Sequence, residues 1–541
     1  NAPLRSFSRC QKASSPSLIQ PTMTNPSTPS PAASAQPQPD IILQGFNWES
    51  SKYKGSKGCW YGLVNSQIDS IAALGVTIIW LPPPSDSISP QGYLPRDLDN
   101  LNSAYGSVGD LKALVAKIKE KGIVPLADTV LNHRCARNKS GNGAWTSFAG
   151  KYNWDDKAII SNDPNFPGRG HRGTGVPIDI APNIDHSQKF VQDSYIDWMK
   201  NILQKEIGFN AWRIDYARGF SGEFVGKYIE ATEPYLAVGE FWDGLDYDGS
   251  YLRPNQDAHR NRIARWVDST GKRAMAFDFT LKGILMVALK NHEYWRLKDG
   301  KGRPAGLNGS WPDRCVTFID NHDTGSTQAH WPFPNDKVLQ GYTYTLTHPG
   351  VPTVFWDHVF DWKLYDQIKK LIDIRKNFLI NKLCAVAIEK ADGEGYTARI
   401  TSSIDPTKQL YVKLGDHNWS PSKERGWEPA FSSRGCAVWS RGGIPEPPKK
   451  EPAAATVGQA LKAEDQSTPL ARVQSFRKFN QTPLAAENIT LSTREGLRPG
   501  TVVLTAQIVV DEAVVKESNS LQVEFFAKKG SVEQRAAKKF E

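Results

Sequence analysis

The feature that most constrains this chain is a rhythm between residues 40 and about 380. Short β-rich apolar runs recur at 41–48, 76–83, 123–130, 211–217, 236–242, 274–280, 315–323 and 351–358. Between most of them lie helical patterns. The clearest covers 110–121, where Leu111, Leu114, Val115 and Ile118 share one face; Asp110 is placed to cap it and Gly122 to end it. Strands that are apolar throughout are buried on both faces, and parallel strands need long crossovers. Eight such strands alternating with helices predict an α/β fold of the (β/α)8 (TIM) barrel type over 40–382. A doubly wound sheet is the competing arrangement, but no G-x-G-x-x-G follows the first run.

The rest of the chain divides around this barrel. Residues 1–39 carry Arg5, Arg9 and Lys12, no acid, and many Ser, Pro, Ala and Gln. They are expected to be disordered and resemble an organelle transit peptide more than a secretory signal, because no apolar stretch of signal-peptide length is present. A plastid location follows as an expectation, with secretion the alternative. After the third run, 133–187 is rich in Gly, Asn, Asp and Pro with little periodicity, and is expected to be an inserted domain. Short alternating runs at 385–388, 397–400, 410–413 and 436–439 predict a small antiparallel β-domain over 383–442. Residues 443–452 read as a Pro-rich linker. The extension 453–541 has strand-like stretches at 501–510 and 521–526, no Trp, and no role that its residues suggest.

Composition excludes several functions. Six Cys without a C-x-x-C pair rule out a zinc ribbon or dithiol motif. No apolar window is long enough for a membrane span. The net charge of +9 is spread over 66 basic and 57 acidic residues with no basic run, so nucleic acid is not an expected partner. All 17 Trp lie between Trp48 and Trp439, which suits a packed core and an apolar cleft for sugar rings.

Barrel chemistry sits at the C-terminal ends of the strands. There the sequence places Asp128 with Asn132, His133 and Arg134, then Arg213 with Asp215, then Glu240, then Asp320 with Asn321, His322 and Asp323. Asp215, Glu240 and Asp323 would meet around one mouth, a crowding that Arg213 and the two His, His133 and His322, must offset. Acids with Arg and His, without His-x-His or clustered Cys, suit glycoside hydrolysis. That reaction needs one acid for the leaving oxygen and one carboxylate at the anomeric carbon.

These segments resemble the signature regions of the α-amylase family, in its plant-type branch: Asp128 to His133, Gly208 to Asp215, Ala237 to Glu240, Phe318 to Gln328, and Ala181 to His186 in the insert. Gly45 to Glu49, Gly92 to Pro95 and Asn255 to Arg260 add to the likeness, which covers about 400 of the 541 residues, closest to the plastidial type. The resemblance implies a retaining endo-hydrolase of α-1,4-glucans such as starch, expected to be a monomer. It implies Asp215 as nucleophile, Glu240 as general acid/base and Asp323 as the third carboxylate. His133 and His322 would bond the sugar, Tyr93 would stack on it, Arg213 would hold Asp215 ionised, and Asp128 would order its neighbours. A transglycosylase or debranching enzyme of the same fold is one alternative, since its catalytic residues would be the same. A non-catalytic glucan-binding protein is the other; the intact acids argue against it.

The resemblance also implies Ca²⁺, held by Asn132, Asn183 and the Gly219 carbonyl, tying the insert to the barrel. Gly173 and Pro177 stand where Asp ligands are expected, so one site is expected to remain and at least one to be lost. Ser310-Trp311 stands where a Trp pair forms a surface starch platform in many plant-type relatives, which puts surface binding there in doubt.

Overall fold

The structure, a computed structural model, describes residues 39–141 and 143–442, and in the C-terminal segment the backbone of four strands. The expectations for residues 1–38 and for the linker lie outside the described residues.

The barrel closes from eight parallel strands. In chain order they are β1 (Ile42–Gln44), β2 (Ile78–Leu81), β3 (Val124–Thr129), β4 (Ala211–Ile214) and β5 (Leu236–Gly239). A hairpin of β6 (Tyr247–Asp248) and β7 (Tyr251–Leu252) intervenes before β8 (Met275–Phe277), β9 (Cys315–Thr317) and β10 (Val351–Phe355). The ring order β1-β10-β9-β8-β5-β4-β3-β2 is that of a TIM barrel. Each strand is shorter than its apolar run, because the last residues leave the ladder to build the mouth. The sequence reading missed the hairpin, whose turn carries Gly249 at φ 57°.

The helices that cover the barrel follow from their apolar stripes and caps. They are α1 (Trp60–Leu74), α2 (Val108–Glu120), α3 (Lys189–Asp197), α4 (Gly222–Thr232), α5 (Asp257–Ser269), α6 (Phe279–Asn291), α7 (Gly306–Ser310), α8 (Val338–Thr347) and α9 (Tyr365–Asn377). In α2 the cap is Ser107, not Asp110: the two form a reciprocal capping box, with Asp110 at the third helical position. The four apolar residues expected on its buried face are buried.

The small C-terminal sheet has five strands in the order β11-β12-β13-β15-β14: β11 (Ala385–Ala391), β12 (Tyr396–Thr401), β13 (Gln409–Leu414), β14 (Glu428–Ser433) and β15 (Cys436–Arg441). Four coincide with the expected runs. The fifth, β14, is an edge strand with Pro429 beside a register shift, where a missing N–H is tolerated. In the separate C-terminal unit, Ile489–Glu495 pairs antiparallel with Val502–Ile508, and Leu521–Lys529 with Val532–Phe540.

The insert is more apolar in practice than its composition suggests. Phe148, Tyr152, Trp154, Ala158, Ile159 and Ile184 are buried. The Arg134 guanidinium lies 5.1 Å from the Phe148 ring centre and 4.8 Å from that of Trp154, and donates to the carbonyls of Arg96, Tyr152 and Ala149. An arginine-centred aromatic cluster thus gives this segment a core of its own.

Candidate active site

Register brings the acids together. In β4 and β5, Ile214 pairs with Gly239, so the residues that follow, Asp215 and Glu240, leave the ladder at the same level. The backbone confirms the alignment: Asp215 N–H donates to Thr129 O at 3.0 Å and Glu240 N–H to Ile214 O at 2.9 Å. Gly239 is required here, because a Cβ would lie 2.0 Å from the Trp266 ring of α5. Immediately after Asp215, Tyr216 takes φ 43°, a conformation costly for a residue with a side chain, and its N–H points at Glu240 Oε2 at 3.3 Å.

Arg213 is the hub. It is fully buried, with Nη1 2.6 Å from Asp215 Oδ1 and 2.8 Å from Asp128 Oδ1. Its Nη2 lies 2.7 Å from Glu240 Oε1, a charge contact whose angles do not make an aligned hydrogen bond. The period of two along β4 puts Arg213 and Asp215 on one face, as the sequence indicates. Asp128 also accepts from Trp80 Nε1 at 3.0 Å and from the Tyr93 hydroxyl at 2.8 Å. It thereby orders Arg213 and the ring of Tyr93.

Electrostatics separate the carboxyls. Burial pushes Glu240 up to about 8; Arg213 opposes the shift, and Asp215 and Asp323 reinforce it. Asp323 is likewise raised by burial, against Arg213 and with Asp215. Carboxyls held this close to one guanidinium titrate as a set, and one of them stays protonated near neutral pH. Burial keeps His133 and His322 neutral by lowering both.

The aromatic wall is assembled from three separate segments. Tyr93 and His322 are parallel within 4° at 5.0 Å, and Trp48 is parallel to Tyr93 within 6° at 6.2 Å. Gln44 fixes His322 through Nε2 to Nδ1 at 2.9 Å, and His322 Nε2 faces Asp323 Oδ2 at 3.3 Å. His133 Nε2 is 2.7 Å from Tyr93 O. Tyr93, His133, Arg213, Asp215, Glu240, His322 and Asp323 thus occupy one connected site. Neutral imidazoles, a flat ring face and paired carboxyls are the equipment for gripping a sugar and protonating a glycosidic oxygen.

Sequence reasoning missed the support beneath this loop. Lys282 of α6 is fully buried, donates from Nζ to Trp331 O at 2.6 Å, and lies 3.6 Å from Asp320 Oδ1. Asp320 accepts the Thr324 hydroxyl at 2.9 Å and the Phe333 N–H at 3.1 Å. Both ends of the segment carrying Asp323 are thereby fastened. A lysine inside an apolar helix face was the available signal.

Asn132, Asn183 and Gly219 also converge. Asn132 Nδ2 donates to Asn183 Oδ1 at 3.2 Å, and a Cβ on Gly219 would lie 2.0 Å from Asn132 Oδ1. Asn183 Oδ1 also accepts from Ile178 N–H, while its Nδ2 donates to Asp163 Oδ2 at 2.8 Å. Among the described residues, no group of three or more His, Cys, Asp or Glu is gathered as a metal cage. The oxygens around Asn183 are the backbone carbonyls of Ile178 and Ala181 and one carboxylate, Asp163, hard donors but poor in charge.

Residues 15–165 match the α-amylase catalytic domain, and 379–440 match the α-amylase C-terminal β-sheet domain. The chain is 47% identical over 401 residues to α-amylase 3, chloroplastic, of Arabidopsis thaliana, covering 74% of this chain and 44% of that protein. It is 46% identical over 405 residues to probable α-amylase 2 of the same plant, covering 74% of this chain and 94% of that one. It therefore spans less than half of the first relative and nearly all of the second. A solved cyclomaltodextrin glucanotransferase with a three-domain ABC distribution superposes with a TM-score of 0.55 at 17% identity, over 75% of this chain and 99% of that one, a likeness of fold.

Proposed function

The chain belongs to the α-amylase family of glycoside hydrolases, and from that premise we propose that it hydrolyses α-1,4-glucosidic bonds within starch and related glucans, with retention of configuration. The observation that carries the proposal is the single guanidinium of Arg213 touching both Asp215 and Glu240. Retention needs the two carboxyls about 5–5.5 Å apart, against roughly 6.5–9.5 Å for inversion.

In the proposed reaction a glucosyl ring stacks on Tyr93, with His133 and His322 bonding its hydroxyls. Glu240, protonated through burial and its acidic neighbours, gives its proton to the glycosidic oxygen as the bond breaks. Asp215, ion-paired with Arg213, attacks the anomeric carbon and forms a covalent glycosyl-enzyme. Asp323 bonds the sugar and adds negative charge beside the oxocarbenium-like transition state. Glu240, now a carboxylate, takes a proton from water as the water oxygen bonds to the anomeric carbon and the ester to Asp215 breaks, which releases the sugar with its α configuration and restores the Asp215 carboxylate and the Glu240 acid.

The Asn132–Asn183–Gly219 cluster fits a hard cation in donor type, because the glycine leaves a cradle against Asn132 Oδ1 that a Cβ would fill. Ca²⁺ there would supply rigidity to the insert beside the nucleophile; the chemistry belongs to the acids. Asn183, whose amide already bridges Asn132 and Asp163, would orient the donors as well as lend its oxygen. A plastid location is proposed from the acid-free N-terminus and the chloroplastic relative. A fluorescent fusion of the precursor found outside plastids would contradict it.

The test is incubation of the protein with soluble starch, recording reducing ends and, by NMR, the anomer released first. The α-anomer is expected. Asp215→Asn and Glu240→Gln should each lower kcat by about 10²-fold or more while the fold is kept. Near-normal turnover in either variant, or β-anomer released first, would overturn the assignment.

A further inference from the structure

The first and last strands of the barrel meet along one seam. β1 and β10 pair in parallel, with Gln44 beside Phe355, so Asn47 and Asp357 leave the ladder at nearly the same level. There the Asn47 amide Nδ2 donates to Asp357 Oδ1 at 2.7 Å, across 310 positions of chain. Asp357 is 8% exposed and takes no part in the reaction described above. Burial raises its carboxyl to about 7, and the groups that set it, Asn47, Asp361, Ser326 and Asp320, include no cation. A buried carboxyl without a counter-charge is costly unless hydrogen bonds satisfy it. Here they come from the loops after β1 and β9.

Through Asn47 the carboxyl reaches the aromatic wall. Asn47 caps the short helical turn Trp48–Lys52: its Oδ1 accepts from Glu49 N–H at 3.1 Å and from the Ser50 hydroxyl at 2.9 Å, and Ser50 Oγ accepts in return from Asn47 N–H at 2.8 Å. Both ends of the amide are thus committed, Oδ1 to the turn and Nδ2 to Asp357, and the side chain has one orientation. Trp48 is the first residue of that turn, so the direction of its indole follows from the cap. The ring is half-buried and lies parallel to His322 within 9° at 6.2 Å, the same distance at which it faces Tyr93.

A second tie runs to the segment that carries Asp323. Ser326 stands against the Asp357 carboxyl, and Thr327 Oγ1 donates to Glu49 Oε1 at 2.6 Å. Ser326 takes φ 52° and Ala329 φ 45°, left-handed conformations that persist in residues with a side chain only where the surroundings hold them. Lys282 and Asp320 fasten the two ends of this segment, at Trp331 and Phe333 on one side and Thr324 on the other. Asp357 and the turn it steadies hold the middle. Losing Asp357 therefore loosens Trp48 and leaves Asp323, beside the fastened Thr324, in place.

We propose that Asp357 is a positioning residue that acts through Asn47: it sets the Trp48 ring against Tyr93 and His322, and with it the grip on the glucosyl unit next to the one at the acids. The proposal rests on the reading of the chain as an α-glucan hydrolase.

The test is a double-mutant cycle on the full chain with a chromogenic maltoheptaoside, assayed well below the melting transition. Asp357→Ala should raise KM about fivefold, the loss of one aromatic contact, with kcat within about twofold of the parent's. Trp48→Ala should do the same. Adding Asp357→Ala to it should change KM by less than about twofold, because the ring through which the carboxyl acts is gone. Asp357→Asn keeps an oxygen for the Asn47 amide and should keep KM near the parent's. Asn47→Ser keeps a helix cap but is too short to reach Asp357; it should match Asp357→Ala, and it carries the test should that variant not fold. A rise in KM that persists in the Trp48→Ala background, a loss confined to kcat, an equal loss in Asp357→Asn, or an unchanged KM in Asn47→Ser would overturn the positioning role. Failure of the unmutated chain to release reducing ends from soluble starch would instead overturn the hydrolase reading.

Discussion

Replacing Lys282 with Met tests whether the buried clasp positions the third carboxylate. Lys282 is fully buried and Asp320 is 3% exposed. Their charges are 3.6 Å apart, and burial pulls the lysine down to about 8 while raising the acid. Taking one partner from a buried pair leaves the other uncompensated, at a cost of about 3–5 kcal/mol. Lys282→Met also strands the Trp331 carbonyl, which accepts from Nζ. Removing both charges with Lys282→Met/Asp320→Asn should recover much of that stability, because the asparagine oxygen can still accept from Thr324 and Phe333. The single variant should therefore show the lower urea midpoint and the double variant an intermediate one. Activity should fall further than stability accounts for. The segment between Asp320 and Phe333 carries His322 and Asp323, and a misplacement of about 1 Å can cost on the order of 10²-fold in rate. The loss should lie in kcat rather than KM in both variants, measured well below the melting transition. Normal kcat in Lys282→Met, or a single variant no less stable than the double, would refute the positioning role.

Other predictions follow from the same geometry. Burial and the negative charge of Asp323 both raise Glu240, so its acid form persists to higher pH than an ordinary glutamate's. Asp323→Asn removes one of those charges, stabilises the Glu240 carboxylate, and should move the alkaline limb of the residual kcat/KM profile to lower pH; an unmoved limb would show that the two are not coupled. If Ca²⁺ is held at Asn132 and Gly219, EDTA should lower the melting temperature and added Ca²⁺ restore it, with about 2.7 kcal/mol at a hundredfold excess over Kd. Mass spectrometry should count one ion; no bound metal and no shift would refute the site. Arg134→Met should destabilise the insert by removing three carbonyl contacts and two ring contacts, read as faster proteolysis within 133–187. Unchanged proteolysis would deny the arginine its role.

What was legible in the sequence depended on whether the signal was local. The eight barrel strands lie in mostly apolar runs, and each announces itself because burial on both faces leaves little room for regular polar alternation. Asp215 and Glu240 were legible for the same reason, as polar residues placed where such a run stops. The edge strand β14 was not: Glu428, Pro429 and the two serines that close it face solvent or a bulge, so its pattern is that of a loop. The β6–β7 hairpin was too short to have a period.

The insert and the clasp were hidden for a different reason. The apolar residues of the insert are scattered from Phe148 to Ile184 and gather around Arg134, five residues past β3, which donates to carbonyls of two segments, Arg96 on one and Ala149 and Tyr152 on the other. Lys282 sits among Leu281, Gly283 and Ile284, and the acid near it in the chain, Asp278, is taken up capping α6 and accepting from Asn308 N–H. The lysine's partners, Asp320 and Trp331, arrive from the far side of β9 once the barrel has closed. The arrangement has a direction. Barrel closure creates a dry floor, the dry floor makes an unpaired charge costly, and the pairing that relieves the cost fixes the segment on which Asp323 stands. The strand pattern that made the fold readable is therefore also what gives the unread lysine its leverage over the active site.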